Sequence, residues 1–108
     1  LIRNSLSYYD ASRGGPVSAG VCGMDIYRDH IRLYFPLGAF LPDPTGLLQS
    51  DPGRLAMRYT LIHSYESAPW EDLRELILAS SRLDVRNLTG GIGEEARRRR
   101  DEDRTPES

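Results

Sequence analysis

The segment from Val21 to Phe35 restricts the fold more than any other feature, because one hairpin register satisfies both faces of a sheet. If the chain reverses at Arg28-Asp29, the cross-strand partners on one face are all apolar: Ile26 with Ile31, Met24 with Leu33, and Cys22 with Phe35. The other face pairs Asp25 with Arg32, Gly23 with Tyr34, and Tyr27 with His30. The segment therefore predicts an antiparallel hairpin with an ion pair between Asp25 and Arg32, because a one-residue slip would bury the arginine.

Two other runs have the alternation typical of strands. Residues Met57 to Leu61 predict a strand with Met57, Tyr59 and Leu61 on one side. A shorter strand is expected at Leu6 to Tyr9.

A helix is expected to begin near Ser67-Ala68-Pro69-Trp70. Ser67 suits the N-cap, Pro69 fits the first turn, and acidic residues follow. The helix should end at Ser80 or Ser81, and its apolar positions fall on one face: Trp70, Leu73, Leu76 and Ile77. We expect this face to pack on the sheet, against Leu33 and against Tyr59 or Leu61.

Prolines and glycines interrupt the segment from Pro36 to Gly53, so no long regular element is expected there. Its apolar residues nevertheless need burial: Leu37, Phe40, Leu41, Leu47 and Leu48. We therefore expect an ordered loop with one helical turn at Thr45 to Gln49. A long ordered loop is either a packed cover over the sheet or part of a functional site.

Composition excludes several classes of function. All 14 cationic residues are arginine, against 16 acidic residues, so there is no lysine for Schiff-base chemistry, pyridoxal-phosphate attachment or a Walker A motif. Neither the body nor the C-terminal part is basic, which argues against a nucleic-acid partner. No segment resembles a signal peptide or a membrane span. Together with the single cysteine, Cys22, these features predict a cytoplasmic protein without a membrane partner.

Recognisable motifs for metal binding or nucleophilic catalysis are missing from the sequence. It contains no CxxC, HxxxH, HExxH or GxSxG pattern. Cys22 lies on the apolar face of its predicted strand, where desolvation disfavours the thiolate. We therefore expect no cofactor, no metal site and no catalytic residue.

The last part of the chain, residues 89–108, changes character. Three glycines lead into EEARRRRDEDRTPES, in which Ala96 is the only apolar residue. Six acidic residues accompany five arginines there, which favours a self-neutralising disordered tail over a nucleic-acid or targeting patch. Residues 1–88 are expected to form one α+β domain, a small antiparallel sheet with a C-terminal helix packed on it.

Several stretches resemble a known bacterial family. They are His30-Ile31-Arg32-Leu33-Tyr34-Phe35, Gly38-Ala39, Pro42-Asp43-Pro44 with Gly46-Leu47-Leu48, and Ala56-Met57-Arg58-Tyr59 before the Trp70 helix. From about Leu6 to Leu83 the chain is similar to the YdhG-like domains, domain-of-unknown-function family 1801. The resemblance implies a small α+β domain, similar in outline to frataxin-like and secretion-chaperone-like folds. It implies no catalytic residues.

Members of that family usually begin with a helix before the first strand, whereas this chain starts about six residues before its own first strand. The resemblance therefore implies that the domain is truncated at its N-terminus, as a fragment or through a non-standard start codon. One face of the sheet would then lack cover, and we expect association with another copy or with the absent segment, or low stability.

The function expected from the sequence is a non-catalytic domain that binds a protein partner or a small ligand. The expected ligand surface comprises Tyr34, His30, Phe40 and Arg58. Two alternatives remain open: a carrier of iron or another metal, by analogy with frataxin-like folds, and an unrecognised enzyme whose site lies between the Pro-rich loop and the sheet.

Overall fold

The protein folds as an α+β domain in which one helix packs on a four-stranded antiparallel sheet, as the sequence predicted. A computed structural model describes residues 2–10, 20–85, 88, 94, 97 and 98. In chain order the elements are β1 (Asn4–Tyr9), β2 (Gly20–Ile26), β3 (Ile31–Phe35), a short 3-10 helix (Gly38–Phe40), β4 (Arg58–Ile62) and helix α1 (Trp70–Ser81). The strand order in the sheet is the chain order, β1-β2-β3-β4.

The predicted hairpin register is confirmed. Strands β2 and β3 pair Met24 with Leu33, Asp25 with Arg32 and Ile26 with Ile31. At the turn, the Tyr27 amide N–H donates to the His30 carbonyl oxygen at 2.9 Å. The predicted pairing of Cys22 with Phe35 is not formed, because the β2–β3 ladder ends one pair earlier, at Gly23 and Tyr34.

The main core lies between α1 and one face of the sheet, here called the helix face. It contains the buried residues Leu33, Phe35, Leu41, Ile62, Leu73 and Leu76. The Ser80 hydroxyl, on the last turn of α1, donates to the Val21 carbonyl oxygen at 2.6 Å. This hydrogen bond satisfies a buried polar group and ties the helix to β2.

Tyr59 and Leu61 of β4 share one side of the strand as predicted, but this side does not face α1. The strand begins at Arg58, and its buried positions are Thr60 and Ile62. Ile62 pairs with Ile31 of the helix face, so Tyr59 and Leu61 lie on the opposite face, and the prediction that α1 packs against them is wrong. Alternation shows which residues of a strand share a side, but it does not show which side meets the helix.

The start of α1 also differs from the prediction. The helix begins at Trp70 with Pro69 as N-cap and without a side-chain cap, while the Ser67 amide donates instead to the Ser64 hydroxyl at 3.1 Å. Leu73 and Leu76 are buried as predicted, but Trp70 is 45% exposed. Its indole N–H donates to the Tyr65 carbonyl oxygen at 2.8 Å, which holds the ring beside the preceding loop.

The Pro-rich segment is ordered and packed, but its helical turn lies elsewhere. The turn is the 3-10 helix at Gly38–Phe40. Leu37 and Phe40 are the buried residues of a second hydrophobic cluster. At Thr45 to Gln49 no helical turn forms, because the Asp43 carboxylate accepts the Leu47 and Leu48 amide N–H groups, both at 2.9 Å. An aspartate that binds backbone in this way stabilises a loop in place of a helix.

No helix in the described part of the chain is long and apolar enough to cross a membrane. Of the predicted tail, the structure describes Glu94, Arg97 and Arg98. The prediction of disorder over residues 89–108 therefore lies mainly outside the described residues.

Candidate functional site

A groove of about 650 Å³ lies over the side of the sheet opposite α1, here called the open face. The sheet and the end of the Pro-rich segment form its two walls. Its lining residues are Ile2, Asp25, Tyr27, Arg32, Tyr34, Pro36, Asp51, Gly53, Arg54, Leu55, Ala56 and Met57. Its volume lies within the usual range of small-molecule sites, roughly 300–1,000 Å³.

Arg32 is held in this groove by an ion pair and by a ring contact. Its guanidinium donates to the Asp51 carboxylate and lies 4.0 Å above the centre of the Tyr59 ring. Burial opposes the charge on Arg32, but the hydrogen bond and charge of Asp51 outweigh it and raise the pKa of the guanidinium. The predicted ion pair is therefore wrong in its partner, because Asp25 instead accepts the Ser5 hydroxyl at 2.9 Å.

The turn that follows Asp51 brings a second arginine to the groove. The Arg54 amide donates to the Asp51 carbonyl oxygen at 3.2 Å, and Gly53 has a φ of +83°, which glycine adopts without strain. The Arg54 side chain is exposed, and no side chain in the described ranges forms a salt bridge with it. The sequence Asp51-Pro52-Gly53-Arg54 is typical of a turn. It does not indicate which strand of the sheet the turn lies against.

The Tyr34 ring lies over Gly23 of β2, which has no side chain to occupy that space. Tyr34 pairs with Gly23, and a Cβ built on that glycine would lie 2.3 Å from the tyrosine hydroxyl and ring. The tyrosine hydroxyl is 3.3 Å from the Ser7 hydroxyl of β1. The ring therefore lies flat over β2 and forms part of the groove floor.

Replacing Gly23 with alanine is expected to displace the Tyr34 ring, because the new methyl group and the ring end would occupy the same space. The ring end is free to swing, so we expect a destabilisation of about 1 kcal/mol, at the low end of overpacking costs. Aromatic NMR shifts of Tyr34 would report the displacement. Gly46→Ala serves as the control, because Gly46 has no atom near its Cβ and does not line the groove, so the strain at its φ of +69° should leave those shifts unchanged.

The four residues predicted as a ligand surface have different surroundings in the structure. Tyr34 lines the groove. His30 lies at the hairpin turn, stacked on Tyr27 with ring centres 4.6 Å apart. Phe40 is buried, and the Arg58 guanidinium donates to the Leu55 and Met57 carbonyl oxygens at 3.2 and 2.9 Å. Arg32, Asp51 and Arg54 were not predicted as site residues.

The turn holds a smaller polar cluster around His30. The His30 Nδ1 atom is 2.7 Å from an Asp29 carboxylate oxygen, and the ring centre of His63 is 5.8 Å from that of His30. The hydrogen bond to His30 lowers the pKa of the Asp29 carboxyl. Among the described residues, no three His, Cys, Asp or Glu side chains come together as metal ligands.

A second cavity, of about 290 Å³, lies between α1 and the helix face. Arg74 is the one polar residue among the described residues that line it. Since specific sites combine apolar walls with several polar groups, the groove on the open face is the better candidate site.

Cys22 is half-buried on the helix face beside the core. Burial raises the pKa of its thiol, so less thiolate is present at any given pH near neutrality than for an exposed cysteine. We expect slow labelling of the native protein by a thiol reagent, and fast labelling in denaturant as the control. Labelling at the unfolded rate under native conditions would contradict this and point to a reactive cysteine.

Comparisons of the chain with family models, with curated proteins and with solved structures found no match.

Proposed function

We propose that this protein is a non-catalytic binding module whose ligand site is the groove on the open face. The observation that carries the proposal is the groove itself, about 650 Å³ with polar and apolar walls. The two carboxylates in its lining are both engaged within the protein, Asp51 with the Arg32 guanidinium and Asp25 with the Ser5 hydroxyl, and a general base must instead reach the proton of a substrate. The arrangement therefore supports binding better than catalysis.

The ligand that fits best is a small organic anion with an apolar or aromatic body. The charges of Arg32 and Asp51 compensate each other, whereas Arg54 is exposed and without a salt bridge among the described residues. Leu55, Ala56 and Met57 follow Arg54 along the same wall. A carboxylate would receive charge-assisted hydrogen bonds from Arg54, and the body of the ligand would lie over these apolar side chains.

NMR titration with a set of aryl carboxylates, such as benzoate and indole-3-acetate, tests this function. We expect shifts at the amides of residues 51–57 and of Arg32 and Tyr34, and weaker shifts with the corresponding neutral amides. Arg54→Gln should weaken carboxylate binding by about fivefold to tenfold, since each 1.4 kcal/mol is a factor of ten. Arg82→Gln, which changes an exposed arginine at the end of α1, is the matched control. Equal loss in both variants, or no shift at all, would contradict the proposal.

We further propose that the chain belongs to the YdhG-like family, which agrees with its α+β fold. We also propose a reducing, cytoplasmic location, which agrees with the free thiol of Cys22.

The alternative function, a carrier of iron or another metal, has its own test. A rise in the thermal midpoint of the protein with ferrous iron or zinc in excess would support it.

A further inference from the structure

Two charged side chains of the groove have no counter-charge among the described residues. Four charged residues line the groove, and two of them, Arg32 and Asp51, form an ion pair with each other. The other two, Asp25 and Arg54, take part in no salt bridge within the described ranges. The groove therefore offers one negative and one positive charge to a ligand.

The negative charge of Asp25 is not used by Arg32, although the two residues are cross-strand neighbours. The Arg32 guanidinium lies over the ring of Tyr59, which belongs to β4, on the far side of β3 from Asp25. The Ser5 hydroxyl donates to one oxygen of the Asp25 carboxylate, and a carboxylate accepts several such bonds. Asp25 is half-buried, and a cation would offset the cost of burying its charge.

Asp25 and Arg54 reach the groove from opposite walls. Asp25 lies on β2, in the sheet. Arg54 follows the Pro-rich segment, which runs beside β4 where Gln49 pairs with Tyr59. Strand β3 therefore lies between the two walls, and a ligand placed over β3 can contact both charged side chains.

Charge balance favours a ligand with two charges over a simple carboxylic acid. The four charged residues of the described lining are two arginines and two aspartates, so their charges cancel. A carboxylate alone would give the occupied groove a net negative charge and leave Asp25 without a cation. A ligand with both an ammonium group and a carboxylate keeps the groove neutral and pairs both remaining charges, which lowers the cost of removing them from water.

We propose that the groove on the open face binds a zwitterion, an amino acid or short peptide whose ammonium group contacts Asp25 and whose carboxylate contacts Arg54. This inference rests on the proposed function, because it keeps the groove and the carboxylate contact and adds a second charge to the ligand. The ligand's side chain lies over the apolar wall of residues 55–57. Both contacts are charge-assisted hydrogen bonds, which are stronger than bonds between neutral groups.

Isothermal titration calorimetry with two pairs of ligands tests the ammonium contact. Phenylalanine and 3-phenylpropionate differ only in the ammonium group, and so do glycyl-phenylalanine and N-acetyl-phenylalanine. In at least one pair we expect the ligand with the ammonium group to bind about tenfold more tightly, as one charge-assisted hydrogen bond allows. The pair that shows the difference distinguishes an amino acid from a peptide.

Asp25→Asn tests the partner of the ammonium group. Asparagine still accepts the Ser5 hydroxyl through its amide oxygen but has no charge. We therefore expect this variant to lose the preference for the ammonium group and to bind 3-phenylpropionate at least as tightly as the wild type does. Asp72→Asn changes an exposed aspartate of α1 outside the groove; it is the matched control and should keep the preference.

The outcomes separate this inference from the proposed function. Equal affinities within both pairs, or a preference that persists in Asp25→Asn, would overturn the zwitterion. The proposed function would still stand if 3-phenylpropionate binds and Arg54→Gln weakens its binding. Absence of binding by all four ligands would overturn both.

Discussion

Replacing Leu73 with alanine is expected to lower the free energy of unfolding by about 2–5 kcal/mol, the usual range for a buried leucine. Leu73 is 2% exposed and belongs to the core cluster with Leu33 and Phe35. The truncation would remove apolar contacts on the side of α1 that holds the helix to the sheet, and a helix of three turns is marginal alone. Urea denaturation followed by circular dichroism measures the change.

Glu75→Ala is the control for Leu73→Ala, because Glu75 is an exposed residue of the same helix. It changes helix propensity slightly and removes no core contact, so we expect a change within about 0.5 kcal/mol. If Leu73→Ala cost as little as Glu75→Ala, α1 would not pack on the sheet through this face.

A second large effect is expected at Gly38, where the 3-10 helix approaches β4. A Cβ on Gly38 would lie 2.5 Å from the Arg58 Cβ, 2.9 Å from its Cγ and 3.1 Å from its backbone nitrogen. None of these atoms is the free end of a side chain, so Gly38→Ala would force the two backbones apart. We expect a loss of about 1–3 kcal/mol, typical of overpacking in a well-packed region, measured by urea denaturation.

A double-mutant cycle separates this clash from a general intolerance of alanine. In an Arg58→Gly background the two closest atoms are absent, so Gly38→Ala should cost less there by at least about 0.5 kcal/mol, as for residues in contact. Gly46→Ala is a second reference: no atom lies within 4 Å of its Cβ, but its φ of +69° is strained for alanine, at about 1–2 kcal/mol. The cost of Gly46→Ala should be the same in the wild-type and the Arg58→Gly backgrounds. If the cost of Gly38→Ala were also the same in both, the backbone at Gly38, and not the Arg58 side chain, would require glycine.

The candidate site was only partly predictable, because its two walls are distant in the sequence. Tyr34 was predicted as a ligand residue and lines the groove. Arg32 was assigned to Asp25, its cross-strand neighbour, but it binds Asp51, which is 19 residues away in the sequence. That partner depends on how the Pro-rich segment folds back over the open face. A pairing rule between neighbouring strands carries no information about a loop that arrives from outside the sheet.

Local patterns determined the elements of this fold, and tertiary packing decided how they face each other. The β2–β3 register was predictable because a one-residue slip exchanges every apolar side chain for a polar one, and the end of α1 followed from its helical spacing. The face that β4 turns toward α1 was not, because the alternation favoured the side of Tyr59 and Leu61, and only pairing with β3 shows that Ile62 lies beneath α1. The position of Trp70 likewise depended on the Tyr65 carbonyl group in the preceding loop. The periodicity of side chains can be read from one segment, whereas the face that a strand turns toward the helix depends on the segments packed against it.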